Sequence, residues 1–293
     1  VTGRRGVGRR TVAAVLAGSG YPVVPGDQRP ELSVHVVAEV CKPEDRRALD
    51  SGGVDGRVDF VVVTKADVTA TAPRLAAEIT AATGVPAAPL AGLVALAAVD
   101  AGVVDGAVLD ALRTLADAPA DMSSPDAFVA APHVLTPALR RRLVTGLGLV
   151  GIAHGVLTLR DEPRADAARL RAVFRAVSGL DRVLDGLDGA AAPARYRRLV
   201  DAGAQLEARA VTDPDAAALA DSDEVVLARM RAAHDVLTAA GLPTGPVGAH
   251  RAHAVRWRRY ADGPVSALHR QCGLDMARGA LRLLAHSGHG EGA

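Results

Sequence analysis

Hydrophobic positions follow two different rhythms along the 293 residues. Up to about Pro119, short continuous apolar runs alternate with segments of helical spacing. Residues 11–18 set Val12, Val15 and Leu16 on one helical face after a glycine-rich stretch, and close at Gly18 and Gly20. Residues 32–40 and 58–63 are apolar runs suited to buried strands. Between them Lys42-Pro43-Glu44-Asp45 opens a helix, with proline in its first turn and two acids near the positive end of its dipole. Residues 72–83 form the next helical segment. Strands joined by crossover helices predict a parallel sheet with helices on both faces. Beyond Pro119 the strand signals stop. Residues 137–159, 166–177, 194–210, 223–240, 249–261 and 265–285 space their apolar residues near three and four apart. Gly and Pro mark the ends, as at Gly241-Leu242-Pro243 and Gly263-Pro264. There is no internal repeat. The expected organisation is an α/β domain over residues 1–118 followed by an all-α domain over 119–293.

Composition narrows this picture a little. Alanine, valine, leucine, glycine and arginine dominate, lysine is nearly absent, and aromatics are 2% of the chain, so the core is expected to be aliphatic. A net charge of +1 gives no global push towards nucleic acid or a membrane surface. Cys41 and Cys272 lie far apart, and no Cys/His cluster has zinc spacing, which suits free thiols in a reducing cytoplasm. Nothing at the N-terminus has the pattern of a signal peptide. The longest apolar stretch, residues 85–99, is shorter than a membrane span and holds Pro86 and Pro89. The expectation is a cytoplasmic protein without a membrane span.

Candidate chemistry begins at Gly3-Arg4-Arg5-Gly6-Val7-Gly8-Arg9-Arg10-Thr11, which overlays the pattern G-x-x-x-x-G-K-[ST]. Glycines there let successive backbone N–H groups turn inward around phosphate oxygens, and a following helix points its N-terminus at the anion. Gly3, Gly6, Gly8, Arg9, Arg10 and Thr11 are the candidate phosphate-binding residues. Arg9 stands where a lysine reaches the terminal phosphates, and the planar guanidinium is not equivalent to it. Arg10 stands where a hydroxyl binds Mg²⁺, with Thr11 one place too late. Only Val1 and Thr2 precede Gly3, so either residues upstream supply the strand that should lead into the loop or the sheet lacks its central strand.

The second motif is Thr64-Lys65-Ala66-Asp67, at the end of the run 58–63. Together with the glycine loop it resembles the Ras- and Era-like P-loop GTPases, whose Asn/Thr-Lys-x-Asp motif reads guanine. The resemblance covers residues 1–115 and implies a reduced P-loop sheet with flanking helices. It further implies that Asp67 accepts hydrogen bonds from guanine N1 and N2, and that the stem of Lys65 covers the base. A carboxylate at that point confronts adenine with an unmade polar contact. Ala88-Pro89-Leu90-Ala91-Gly92 lies where the family carries its base-backing loop, which makes Ala91 and Gly92 candidates for backbone contacts.

Several parts of that family pattern are missing. The interval 19–31 has no room for two strands, a switch threonine and an Asp-x-x-Gly motif. Val23-Val24-Pro25-Gly26 is either a collapsed remnant of these or a Pro-Gly turn. Without the hydroxyl and the acidic ligand, affinity for Mg²⁺ falls, and no residue for orienting water is identifiable. The resemblance therefore implies a GTP- or GDP-binding protein with weak or absent hydrolysis. In this reading Arg9 and Arg10 replace lysine and metal, and the protein acts through a protein partner or as a homo-oligomer via its helical half. Two alternatives stand beside it: a pseudo-GTPase scaffold that binds no nucleotide, and a GTPase completed by another chain.

In the helical half, residues 249–261 combine arginines with Trp257 and Tyr260. The pair is expected to share a buried stripe, the arginines to lie outward, and His250 and His253 to be surface residues, with no nucleic acid bound. Cys272 is expected to be buried, and Arg140-Arg141-Arg142 to form a solvated face.

Overall fold

The computed structural model describes residues 1–24, 30–51, 58–245 and 249–289. Pro25 and Gly26 of the possible switch remnant lie outside them. Among the described residues the strands are β1 (Thr2–Gly3), β2 (Val34–Ala38), β3 (Phe60–Thr64) and β4 (Ala87–Leu90), in spatial order β1-β2-β3-β4 with every pairing parallel. The crossovers are α1 (Arg9–Gly18), α2 (Pro43–Asp50) and α3 (Ala72–Thr83), and α4 (Gly92–Val99) follows β4. The strand feeding the glycine loop is thus present but only two residues long.

The side-chain period of two sorts the sheet into two buried faces. Val34, Val36, Ala38, Phe60, Val62, Ala88 and Leu90 pack with Val12, Val15 and Leu16 of α1 and Ala95 of α4. The intervening positions Val37, Val61 and Val63 pack with Leu49 of α2 and Ala72, Ala76 and Ile79 of α3. Helices on both faces explain why these strands read as continuous apolar runs.

The chain divides into two compact units, Val1–Leu187 and Asp188–Ala293. This boundary differs from the one expected at residue 118, and the reason lies in α4. Gly92-Leu93-Val94-Ala95-Leu96-Ala97-Ala98-Val99 is apolar all round and none of it is exposed, as suits a helix packed on more than one side. One side of it meets the sheet. Ala91, Val94 and Ala97 meet a second core built with α5 (Gly106–Asp117), α6 (Pro125–Ala130), α7 (Pro137–Asp161) and α8 (Ala167–Ser178). The end of the strands is therefore not the end of the unit. α7 is the one described helix long and apolar enough to cross a membrane. It packs against α4, α5, α6 and α8, and breaks at Gly148 (φ 65°, ψ 170°), a conformation open essentially to glycine alone.

α9 (Leu180–Ala210) begins in the first unit, where Leu180, Val183 and Leu187 join the sheet core, and continues into the second. It continues past Pro193 as helix, which explains why its N-terminal half was not legible as helix. The second unit adds α10 (Pro214–Ala220), α11 (Asp223–Ala239), α12 (His250–Ala261) and α13 (Ala267–His289). Its core holds Tyr196, Val236, Leu237, Trp257, Cys272 and Met276. Trp257 is buried and meets the half-buried Tyr260 edge-on at 5.4 Å, with Arg256, Arg258 and Arg259 outward, as expected. Tyr196 Oη donates to Asp275 at 2.6 Å, and Arg229 lies 3.3 Å from the same carboxylate. In the arginine run at 140–142, Arg141 and Arg142 are exposed as expected and Arg140 alone departs. Arg140 is 2% exposed because its guanidinium donates to the carbonyls of Phe128 and Ala131 at the end of α6, where the helix leaves acceptors unpaired.

Candidate functional site

The glycine loop leaves β1 with little freedom. Gly3 has φ 133°, and a Cβ there would stand 2.5 Å from the Val36 carbonyl oxygen. Gly6 and Gly8 have φ 80° and 89°, left-handed values that turn the chain inward before α1. Gly8 is the N-cap of α1, and no side chain caps the helix. The first-turn N–H groups thus face the strand ends without a protein acceptor from the cap. Arg9 and Arg10, the first two residues of α1, are exposed and form no ion pair among the described residues. Thr11 is half-buried and turned towards α4, with its methyl 3.4 Å from where a Cβ on Gly92 would lie.

Thr64 joins this loop to the second motif. It is the last residue of β3 and is buried. Its hydroxyl lies 2.6 Å from the carbonyl oxygen of Val7 and 3.2 Å from that of Val37, so one side chain holds loop, β2 and β3 together. A Cβ on Gly8 would sit 3.8 Å from Thr64. The loop after β1 and the Thr-Lys-x-Asp segment after β3 therefore gather at the same, C-terminal, end of the parallel sheet, on either side of β2, where open α/β sheets place ligands.

Beyond Thr64 the two polar candidates diverge in their surroundings. Lys65 is exposed, has φ 59°, and donates to Glu39 at 2.5 Å. That hydrogen bond, then the ammonium charge, holds the Glu39 carboxyl below its ordinary range. Asp67 is half-buried and has no hydrogen-bond or ion-pair partner among the described residues. Its Oδ2 lies 3.6 Å from where a Cβ on Gly148 would be, against the break in α7.

The base-backing candidates fare differently from one another. The N–H of Ala91 already donates to the Ser178 carbonyl at 2.9 Å, so that amide is not free for a base. Gly92 opens α4, and its N–H lies outside the helix's own ladder.

On the other face of the sheet, the loop's second residue is held by groups that the sequence reading passed over. Arg4 Nε lies 3.0 and 2.9 Å from the two oxygens of Asp45, which is wholly buried. Asp45 also accepts from Lys42 N at 3.1 Å and faces His35 Nε2 at 3.4 Å, while His35 Nδ1 meets Thr2 Oγ1 at 3.1 Å. Burial lowers the His35 pKa, opposed by Asp45. The signal for Asp45 was available as an acid in the first turn of α2. That it is buried against an arginine of the loop was not.

For Mg²⁺, which the sequence made doubtful, the described residues of the glycine loop offer no ligand group. Arg10 occupies the hydroxyl position, and Thr11 is turned towards Gly92. Among the described residues, no group of three His, Cys, Asp or Glu side chains is placed to hold a metal ion. An apolar cavity of about 230 Å³ lies elsewhere, between α5 and α7, lined by Leu115, Met122, Ile152 and Val156 with Arg160 as its sole charged residue. It has none of the convergent polar groups of the strand ends. Compared with models of protein families, with curated proteins and with solved structures, the chain matches none.

Proposed function

We propose that the first unit binds a guanine nucleotide, GTP or GDP, with weak or absent hydrolysis, and acts as a regulatory or switch protein through a protein partner. The observation that supports this best is Asp67. It is a half-buried carboxylate without a partner among the described residues, three residues beyond a threonine hydrogen-bonded to the glycine loop. A carboxylate so placed accepts from the N1 and N2 donors of guanine and rejects adenine, whose N1 is an acceptor. Phosphates lie in the glycine loop against the N-terminus of α1, neutralised by Arg9 and Arg10, which have no carboxylate to compete for them among the described residues. With no group of metal ligands and no water-orienting residue among the described residues, the arrangement suits holding a nucleotide rather than cleaving it.

Thermal shift and calorimetry with GDP, GTP and ATP, each with and without EDTA, test the proposal. The expected result is a guanine-selective rise in melting temperature that survives chelation. Arg9→Ala with Arg10→Ala abolishes phosphate-dependent binding, and Asp67→Ala relaxes base selectivity. No binding by the unaltered protein, or a large loss of affinity on chelation, refutes the respective part.

A second reading has one observation in its favour. The Ala91 amide, a natural base contact, is spent on Ser178. A scaffold that has lost its ligand would show this closure, and absence of binding in the same panel would establish it.

A further inference from the structure

Among the described residues, two that are not glycine have positive φ: Glu39 at 61° and Lys65 at 59°. They are ion-paired to each other at 2.5 Å. Glu39 is the centre of a three-residue turn closed by Val40 N–H to Ala38 O at 2.6 Å, and with positive φ this is the rare, strained sense of that turn. Lys65 directly follows β3, and its carbonyl accepts from both Val68 N and Thr69 N at 3.1 Å. Side chains of this kind seldom adopt such backbone, and strain of this sort collects at ligand sites. Both partners are about half exposed, and an exposed ion pair contributes little to folding. The pair does not offset the two strained residues that make it.

We infer that Glu39 is a positioning residue for nucleotide binding, holding the Lys65 ammonium so that the lysine's four methylenes form a flat wall for the purine on Asp67. This rests on the guanine-site reading above. The bond to Glu39 gives the most flexible side chain at the site one orientation before the ligand arrives, so less freedom is lost on binding. It also keeps the ammonium occupied by a carboxylate, which leaves the phosphates to Arg9, Arg10 and the loop amides. Lys65 then contributes through apolar cover and not through its charge.

The test is a double-mutant cycle on Glu39→Gln and Lys65→Met, reading GDP affinity by calorimetry and tripolyphosphate affinity as the base-free control. Each single change is expected to weaken GDP by about 2- to 12-fold, the range for losing one pre-ordered side chain. The double variant is expected to be no weaker than the worse single variant. Tripolyphosphate binding stays the same throughout. Glu39→Gly separates positioning from mere support: it relieves the strained φ, so melting temperature holds or rises while GDP affinity still falls. Additive effects on GDP, or an equal loss of tripolyphosphate, overturn the inference and leave the guanine site intact. Unaltered protein that binds tripolyphosphate but not GDP overturns the base-site reading, and this inference with it.

Discussion

Thr64 offers the most direct test of how the site is held together. Its hydroxyl is the side-chain link between the glycine loop and β3, 2.6 Å from a carbonyl on the buried Val7. Thr64→Val keeps the shape of the side chain and deletes that donor, so the Val7 carbonyl is left in place without its partner. An orphaned buried acceptor costs about 1–3 kcal/mol. Where loop amides exchange by local opening, their protection should fall by roughly 5- to 150-fold. Hydrogen exchange over residues 5–12 reads this at the right place. Fluorescence does not, because the single tryptophan, Trp257, belongs to the second unit. Thr64→Ser is the control, since it retains the hydroxyl and loses only a methyl group. Exchange unchanged in Thr64→Val, or equally fast in Thr64→Ser, refutes the claim that this hydrogen bond pins the loop.

The buried His35 makes folding sensitive to mild acid. Burial lowers its folded pKa below 6.5, so the native state resists a proton that the unfolded chain accepts. Its contribution to stability is therefore present above pH 6.5 and is lost as pH falls towards the folded value. Urea midpoints between about pH 7.5 and 5.5 should fall with acid in the wild type and less steeply in His35→Gln, and parallel slopes would refute the assignment. The two thiols should also separate. Burial pushes Cys272 up to about 12, and the half-buried Cys41 is raised as well but remains accessible. An aromatic disulfide reagent should label Cys41 slowly in the native protein and Cys272 only after unfolding, and equal native rates would contradict the burial of Cys272.

The parts of the fold that rest on one periodicity were legible from the chain. Residues 72–83 are a helix over their whole predicted length, and the runs 32–40 and 58–63 contain β2 and β3 within a few residues. What escaped depends on partners distant in sequence. The boundary at 118 followed the disappearance of strand patterns, whereas α4 carries the first core onwards into α5–α8. Glycines and Pro193 within residues 180–193 hid half of α9 because breakers act on the chain locally, while a helix packed along its length keeps its remaining bonds. At the site, the glycine loop and Asp67 could be read as types at a spacing. Glu39, which meets Lys65 only across the sheet, and Ser178, which takes the amide of Ala91, have no local pattern to announce them.

The interruption of α7 at Gly148 has a mechanical side. An unbroken rod hands a push along its length; a rod jointed at one torsion converts it into swing. One arm is tethered through Arg140 to the end of α6, and the other lies with Gly155 against Leu112 and Phe174. Asp67 rests on the joint between them. Whatever fills the space beside that carboxylate therefore meets α7 at the one point where its helical ladder is already interrupted.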